Sequence, residues 1–314
     1  MKRIILLFIS AIVFLVGCAP EAQPTSGKPV IKIGYLPITH AGPLLYDAHK
    51  HDSAFDEYEL ELVKFNSWAD LIDALNAGQI DGASVLMQLA MQAKSIGVDI
   101  NAVALGHRDG NVIIGAKDVG DVADLKGETF AIPHTHSAHH LLINELLTAE
   151  GLAYDDVNLV EMPPAEMPAA LAENRIAGYA VAEPFGALAV DLDVGKVIAH
   201  SEEFWPDSYC CVLVLRDDFL NDETEIATAF FQNYVAAGKE ANEKSADLYD
   251  ALQNYMDIDK DVLDISLEWI TYDNLQIEAD EYEKLLDRVD TLELMNKAPS
   301  YEEFVDNRLF DEVD

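Results

Sequence analysis

The stretch at residues 133–140, PHTHSAHH, joins a predicted strand to a predicted helix. It follows the short apolar run at residues 129–132, and from Leu141 onward apolar residues recur at helical spacing. Ser137 is placed to cap that helix, whose first turn offers free backbone N–H groups and the positive end of the helix dipole. Four histidines lie in the same stretch. This combination predicts a binding site for a small anion or for a metal ion.

An internal repeat relates this stretch to an earlier part of the chain. The motif Pro-x-Thr-His occurs at residues 37–40 and again at residues 133–136, an offset of 96 residues. Other identities keep the same offset, and they include Gly82 with Gly178. The repeat spans a whole β-α-β-α-β unit. We therefore predict two lobes built on one plan, each with such a turn at the end of its first strand.

Strand and helix candidates alternate along both copies of the repeat, which predicts an α/β fold with mostly parallel sheets flanked by helices. Beyond residue 224 the pattern becomes that of long amphipathic helices. Ligands of open parallel sheets bind at the carboxyl ends of the strands. The repeat therefore predicts that Thr39 and His40 face Thr135 and His136 across a cleft.

The composition excludes some classes of function. The 314 residues carry 57 acidic and 20 basic side chains, for a net charge of −37, and such a chain is repelled by the phosphates of nucleic acids. Three cysteines are too few for a disulfide framework. The chain lacks the Gly-x-Ser-x-Gly, Walker and His-Glu-x-x-His motifs, which argues against the enzyme classes that they mark.

The amino terminus has the layout of an export signal. Two basic residues precede an apolar run, and residues 1–17 are predicted to be a signal peptide. The sequence Leu-Val-Gly-Cys at residues 15–18 resembles the lipobox of bacterial lipoproteins, which implies cleavage before Cys18 and a lipid on its thiol. Residues 18–29 form a predicted Pro/Ser/Gly tether. We expect a protein anchored at the outer face of the cytoplasmic membrane or in the periplasm.

Four further motifs carry a family resemblance. They are GYLPITHAGPLL at residues 34–45, LNAGQIDGA at residues 75–83, PPAEMPAALAENRIAGYAVAEPFGALAVD at residues 163–191 and FWPDSYCCVLVLRDDF at residues 204–219. Together with the lipobox, they resemble the substrate-binding lipoproteins of ABC importers of the nitrate, sulfonate, bicarbonate and taurine type (the NMT1/THI5-like proteins).

The resemblance implies a type II periplasmic-binding-protein fold with two α/β lobes. Lobe one would comprise residues 30–112 and 211–314, and lobe two residues 113–210. The strand candidates at residues 111–116 and 210–215 would be the crossings that serve as the hinge. The implied function is that of a monomeric receptor, without a cofactor and without enzymatic activity. It would close on a small ligand and dock on the permease of an ABC importer, which works with an ATPase subunit.

The resemblance also implies where the ligand binds. Members of the group use the turn after the first strand, the turn after the third strand, the start of the first helix of lobe two, and a Glu-Pro pair beside the cleft. The corresponding residues of this sequence are Thr39, His40, Ala41, Ser84, Gln88, Thr135, His136, Ser137, His139 and Glu183.

The residues leave the ligand open. Helix N–H groups, hydroxyl groups and histidines suit an oxyanion such as nitrate, bicarbonate or a sulfonate. A divalent metal could instead be held by His40, His136, His139 and Glu183. The aromatic residues Tyr35, Trp68 and Phe185 suggest a third class, a heterocyclic precursor of thiamine or flavin.

A further alternative is an enzyme similar to the pyrimidine-synthesising relatives of this group. Relatives that synthesise pyrimidines rely on histidines and a cysteine-rich motif, whereas this chain has only Cys210 and Cys211 and carries an export signal. Neighbouring residues of a strand point to opposite faces, and adjacent cysteines rarely close a disulfide because the bond would be strained. We therefore expect the two cysteines to be small buried residues of the core.

Overall fold

The computed structural model describes residues 27–206 and 208–310. The predicted signal peptide and Cys18, with residues 19–26 of the tether, lie outside the described residues. Within them, no helix is long and apolar enough to span a membrane.

The strands follow the alternation that the sequence predicts. They are β1 (Val30–Tyr35), β2 (Glu59–Lys64), β3 (Gly82–Leu86), β4 (Ile100–Leu105), β5 (Arg108–Asp109), β6 (Asn111–Ala116), β7 (Thr129–Ile132), β8 (Asn158–Glu161), β9 (Gly178–Ala182), β10 (Gly195–His200), β11 (Cys211–Arg216) and β12 (Ile270–Thr271).

The helices include the four long amphipathic segments predicted beyond residue 224. They are α1 (Gly42–Lys50), α2 (Trp68–Asn76), α3 (Met87–Ser95), α4 (Ala138–Ala149), α5 (Met167–Ala172), α6 (Phe185–Asp191), α7 (Asp217–Asp222), α8 (Thr224–Ala241), α9 (Ala246–Met256), α10 (Lys260–Glu268), α11 (Ala279–Thr291) and α12 (Tyr301–Phe304).

Two five-stranded sheets share one strand order. The first runs β2-β1-β3-β11-β4, and the second, read in the matching direction, runs β8-β7-β9-β6-β10. In each sheet the first three strands are parallel, and the fourth is antiparallel to the third. β3 and β9 differ by 96 residues at both ends, as do the first residues of α1 and α4. The predicted internal repeat is therefore a structural repeat.

The chain exchanges a strand between the two sheets. After β4 it leaves the first sheet through residues 106–110, and β6 then lies wholly in the second sheet. After β10 it leaves the second sheet through a connection whose described residues are 201–206 and 208–210, and β11 lies wholly in the first. We call these two connections the crossing segments, and we call the parts built on the first and second sheets lobe one and lobe two. The first crossing segment is tied down by β5, which pairs with β12.

Serine hydroxyl groups start several helices. The side chain of Ser67 accepts a hydrogen bond from the third residue of α2, and Ser137 does the same for α4. Such a cap satisfies one of the backbone N–H groups that the first turn of a helix leaves without a partner. The predicted cap of the helix after the PHTHSAHH stretch is thus confirmed, and it fixes where α4 begins.

The core of lobe one extends into the C-terminal helices. α1 packs against α8 and α9, and the buried ring of Tyr272 lies against Gly42 at the start of α1. A Cβ atom at Gly42 would lie 2.5 Å from that ring, so this close approach requires glycine. The Tyr272 hydroxyl group donates a hydrogen bond to the Thr39 carbonyl oxygen at 2.8 Å. The C-terminal part of lobe one therefore supports the turn that carries the first predicted site residues.

Candidate functional site

A group of histidine and cysteine side chains collects where the crossing segments pass the strand ends. His40 lies in the 3-10 turn Thr39–Ala41 after β1, and His107 lies in the first crossing segment. Cys210 ends the second crossing segment, and Cys211 begins β11. One ligand-type atom from each of these four side chains lies within 4.8 Å of all the others. We call His40, His107, Cys210 and Cys211 the His/Cys cluster.

A backbone carbonyl fixes the ring of His40. Its Nε2 atom lies 2.9 Å from the Gly110 carbonyl oxygen, which can only accept a hydrogen bond, so Nε2 carries the proton of the neutral ring. The lone pair of Nδ1 then faces the Cys211 sulfur, 3.5 Å away. Gly106 lets the crossing segment approach this turn, because a Cβ atom there would lie 2.6 Å from the His40 carbonyl oxygen.

His107 is oriented in the same way. Its Nδ1 atom lies 2.8 Å from the Asp109 carbonyl oxygen and therefore carries the proton, whereas Nε2 has no hydrogen-bond partner. The ring stacks on His40 with 3.5 Å between the centroids. Burial lowers the pKa of His107 to about 4, and the neighbouring His40 ring disfavours a second protonated imidazole beside it. Near neutral pH the ring is thus uncharged and presents a free lone pair.

The two cysteines turn toward each other. Their sulfur atoms are 3.7 Å apart, and both residues are buried and unoxidised. Burial raises the pKa of both thiols. For Cys211, the hydrogen bond from the Cys210 thiol leads the interactions that outweigh burial and hold its pKa well below the usual value. The pKa of Cys210 stays well above it. The cluster thus favours one thiolate, on Cys211.

The expectation for this cysteine pair is confirmed in part. Both residues are buried, but their side chains do not alternate between two faces. β11 begins only at Cys211, so Cys210 lies in the crossing segment, where the backbone is not held in the strand conformation. Both sulfur atoms can therefore reach the same cluster.

His139 approaches the cluster from lobe two. It lies in the first turn of α4 and is completely buried, yet neither ring nitrogen makes a hydrogen bond. Burial lowers its pKa to about 3, and so do the neighbouring His40 and His107, whereas Cys211 and the Val181 carbonyl oppose the shift. A buried imidazole without partners is costly, because its desolvation is not offset. The His139 ring is therefore available to bind a ligand through its free nitrogen or to donate its N–H proton to one.

Asn111 and Gln88 add further unpaired groups around the cluster. Neither side-chain atom of Asn111 makes a hydrogen bond, although its amide is close enough to lower the pKa of Cys210. Gln88 donates to the Tyr209 carbonyl oxygen at 3.2 Å and leaves its own Oε1 without a partner. Both residues are completely buried. Unpaired polar atoms from several elements thus converge beside the His/Cys cluster.

The other predicted residues of lobe one are buried, and hydrogen bonds hold one of them, Thr39. The backbone N–H group of Thr39 donates to the Glu183 carbonyl oxygen at 2.9 Å, and its hydroxyl group lies 3.4 Å from that of Ser266. Ala41 is buried within the 3-10 turn. Ser84 is buried in β3 opposite Leu213.

The turn in lobe two divides its predicted residues between two roles. His136 reaches lobe one through its Nε2 atom, which lies 2.8 Å from the Leu294 carbonyl oxygen. Thr135 is exposed, and both its backbone N–H group and its hydroxyl group donate to Glu161. The structure therefore brings His40 together with His139, three residues beyond the His136 that the repeat singles out.

The remaining residues of this turn bond within lobe two. Ser137 donates to the His134 carbonyl oxygen at 2.6 Å and accepts from the His140 backbone at 3.2 Å. The ring of His140 bonds to the Thr135 carbonyl oxygen and to the Tyr154 hydroxyl group, each at 2.8 Å. These contacts hold the turn and occupy both nitrogens of His140.

Glu183 is buried at the contact between the lobes, but its carboxyl group faces α6. It accepts from the Ala187 backbone at 3.2 Å and is near the Ser266 hydroxyl group of α10. Burial raises the pKa of Glu183 to about 8, although hydrogen bonds from Ala187, Ser266 and Gly186 oppose the shift. The group is therefore mainly protonated at pH 7. The alternative metal set of the sequence analysis is split, because His40 and His139 are near each other while His136 and Glu183 bond elsewhere.

The three aromatic residues considered for a heterocyclic ligand are largely buried. Trp68 begins α2 and is 3% exposed, and Tyr35 packs edge-on against Tyr255 with 6.3 Å between the ring centroids. The Phe185 carbonyl oxygen accepts from the Tyr179 hydroxyl group at 2.8 Å. None of the three belongs to the His/Cys cluster.

Four residues at or beside the cluster were not predicted from the sequence to belong to the site: His107, Asn111, Cys210 and Cys211. The segment His-Arg-Asp-Gly at residues 107–110 lies outside the repeat, so no pattern marked it. The indication in the sequence was the pair of adjacent cysteines inside the predicted crossing at residues 210–215. Their geometry depends on how two distant segments pass each other, which the sequence pattern does not encode.

Comparison with known proteins agrees with this architecture. The model of the NMT1-like family matches residues 25–252. The bicarbonate transport ATP-binding protein CmpC of Synechococcus elongatus is 30% identical over 215 residues, which cover 61% of this chain and 32% of that protein. The match thus spans about a third of that curated relative.

Two solved structures share the fold. The ligand-binding component of an ABC-type import system from Staphylococcus aureus, solved with zinc bound, is 44% identical, with a TM-score of 0.87 over 91% of this chain and 99% of that one. The periplasmic nitrate-binding protein NrtA of Synechocystis PCC 6803 has a TM-score of 0.82 at 19% identity, over 91% of this chain and 88% of that one. These matches confirm the predicted two-lobed periplasmic-binding-protein fold, and the chain belongs to the NMT1-like family.

Proposed function

We propose that this chain is the extracytoplasmic solute-binding receptor of an ABC importer and that it captures a small ligand between its lobes. One observation carries the proposal. Buried polar atoms without hydrogen-bond partners converge from His139 in lobe two, Gln88 in lobe one, and the crossing segment that contains His107. Native proteins rarely leave such groups unpaired, and a bound ligand would supply the missing partners.

Contacts that join the two lobes around these unpaired atoms support a closed form of the receptor. The Thr39 N–H group donates to the Glu183 carbonyl oxygen, and Arg288 of α11 lies 2.9 Å from the Glu145 carboxylate of α4. Such contacts form only while the lobes are together. A ligand that binds both lobes shifts the equilibrium toward this closed form by its difference in affinity for the two forms.

An oxyanion of the nitrate, bicarbonate or sulfonate type is the ligand class that the relatives favour. The name of CmpC refers to bicarbonate, and NrtA is a nitrate-binding protein. On this chain, the Asn111 amide, an N–H group of the neutral His139 ring and the first turn of α4 could donate hydrogen bonds to it.

A transition-metal ion is the second candidate, and a specific observation favours it. The His/Cys cluster has the donor types of a zinc site, and the Staphylococcus aureus relative was solved with zinc bound.

The proposed receptor works at the membrane, beside the other subunits of the importer. The lipid on Cys18 would tether the receptor to the membrane beside its permease, and the partner ATPase would drive import. The receptor would act as a monomer, without a cofactor and without catalysis.

A thermal-shift screen tests the receptor function. The folded chain would be titrated with nitrate, bicarbonate, sulfonates and divalent metals. A tight ligand at a hundredfold excess over Kd should stabilise it by about 2.7 kcal/mol. Substitution of His139 with alanine should weaken the response, whereas substitution of His49 on α1 should leave it unchanged. The absence of any response, or equal effects of both substitutions, would refute the proposed cleft.

A further inference from the structure

The spacing of the cluster atoms suits a single ion. In a tetrahedral site with Zn–N and Zn–S bonds of about 2.0–2.3 Å, neighbouring ligand atoms lie roughly 3.3–3.8 Å apart. The Cys210 and Cys211 sulfur atoms are 3.7 Å apart, and the Cys211 sulfur is 3.5 Å from Nδ1 of His40. Both distances fall in this range. A polyatomic anion at the same point would force these atoms apart.

The histidine rings already present the correct nitrogens. His40 donates its Nε2 proton to the Gly110 carbonyl, and His107 donates its Nδ1 proton to the Asp109 carbonyl. Each ring therefore turns its lone pair toward the thiols. Metal-binding histidines are held in this manner, with the other ring nitrogen bonded to a carbonyl or carboxylate group. Both carbonyls belong to the first crossing segment, so a single short segment orients both rings.

The donor types select the class of metal. Thiolate and imidazole ligands suit zinc and copper, whereas magnesium and calcium require oxygen ligands. An ion here would be sequestered from water, because all four cluster side chains are buried. A cationic ligand also agrees with a chain whose net charge is −37.

We propose that the His/Cys cluster is the binding site for a thiophilic transition-metal ion, for which Zn²⁺ is the natural probe, and that the buried His139 of lobe two packs against this site in the closed form. Within the proposed receptor, this makes the ion the transported solute. Cys211 and His40 belong to lobe one, His107 and Cys210 to the crossing segments, and His139 to lobe two. The site therefore combines ligands from lobe one and from both crossing segments, and it lies beside His139 of lobe two. The proposal rests on the receptor function proposed above.

Metal affinity and thiolate absorption test the site directly. The full folded chain, stripped with a chelator under reducing conditions, would be titrated with Zn²⁺ against a chromophoric chelator. Cys211→Ser and His107→Ala should each weaken binding by at least about a hundredfold, since loss of an outer partner alone costs 10–100-fold. His49→Ala, on the outer part of α1, should bind like the unaltered chain. Cd²⁺ should produce one equivalent of sulfur-to-metal charge-transfer absorption.

Several outcomes would overturn the assignment. Zn²⁺ binding that is unchanged in Cys211→Ser and His107→Ala would mean an adventitious ion on the acidic surface, as would Cd²⁺ binding without charge-transfer absorption. The Cd²⁺ spectrum of the unaltered chain does not depend on whether the variants fold. An unchanged affinity in His139→Ala would overturn the contact between the site and lobe two and leave a site in lobe one and the crossing segments alone.

The same preparation separates this proposal from the receptor function. Nitrate, bicarbonate and a sulfonate would be tested on the metal-free chain. If one of them binds tightly and Zn²⁺ does not, the metal site is wrong and the receptor function stands. If neither class binds, both proposals fail.

Discussion

The buried carboxyl group of Glu183 should make the stability of this protein fall as the pH rises. Burial raises its pKa from 4.5 in the unfolded chain to about 8 in the folded one. The folded state thus favours the protonated acid. The stabilisation that protonated Glu183 contributes is fully present below pH 4.5, and it is lost as the pH rises toward 8.

The size of this pH-dependent loss of stability follows from the shift in the pKa of Glu183. A change of about 3.5 pKa units at about 1.36 kcal/mol each sets an upper bound of roughly 5 kcal/mol. Local opening and water entry reduce this bound, so we expect a loss of a few kcal/mol between pH 5 and pH 9. Glu183→Gln is similar in shape and retains an acceptor for the Ala187 N–H group, but it cannot ionise. It should therefore lose less stability over this interval.

Urea unfolding at pH 5, 7 and 9 provides the measurement. The difference in unfolding free energy between Glu183→Gln and the unaltered chain should grow in favour of the variant as the pH rises. Asp47→Asn is a positive comparison and should show the same trend, because burial raises the pKa of that carboxyl group in α1 to about 8 as well. A constant difference across this pH range would refute the assignment to Glu183.

Three further outcomes are expected. Gly106→Ala should cost about 1–3 kcal/mol of unfolding free energy and should weaken ligand binding, because its Cβ would press on the His40 carbonyl oxygen; unchanged urea midpoints and affinity would contradict this. Arg288→Ala removes the ion pair with Glu145 and should weaken ligand affinity severalfold, with an increased radius of gyration in X-ray scattering. If the variant is as compact as the unaltered chain and binds ligand as tightly, the Arg288–Glu145 ion pair is not a closing contact. Cys18→Ala should accumulate as an unprocessed precursor without lipid, visible as a slower band on gels, and normal processing would contradict the anchoring proposal.

Local patterns predicted most of the architecture. Apolar runs marked the strands and 3.6-residue periodicity marked the long helices, because both depend on neighbours in sequence. The start of α4 at Ala138 was predictable because a serine cap acts on the next turn of the same helix. The constant offset between the repeats predicted the common plan of the two sheets.

The site was predictable only in part. His40 and His139 were selected by the repeat and by the family motifs, and the structure brings them together. His107 and Cys211 were not selected for the site. They come from segments far apart in sequence, and they meet only because both crossing segments pass the same strand ends. The repeat also suggested His136, but its ring bonds to the Leu294 carbonyl oxygen, a partner that only the folded chain supplies.

In the PHTHSAHH stretch, the local sequence determines some features and the folded chain determines the others. Its sequence alone determined a strand, a turn and a capped helix, since these depend on a few neighbouring residues. Only the tertiary structure decided which of its histidines serve the fold and which faces the candidate site. His140 bonds within its own lobe, whereas His139 is buried beside the cluster with both nitrogens unpaired. The reason is physical, because burial and the supply of partners are properties of packed elements and not of the segment itself.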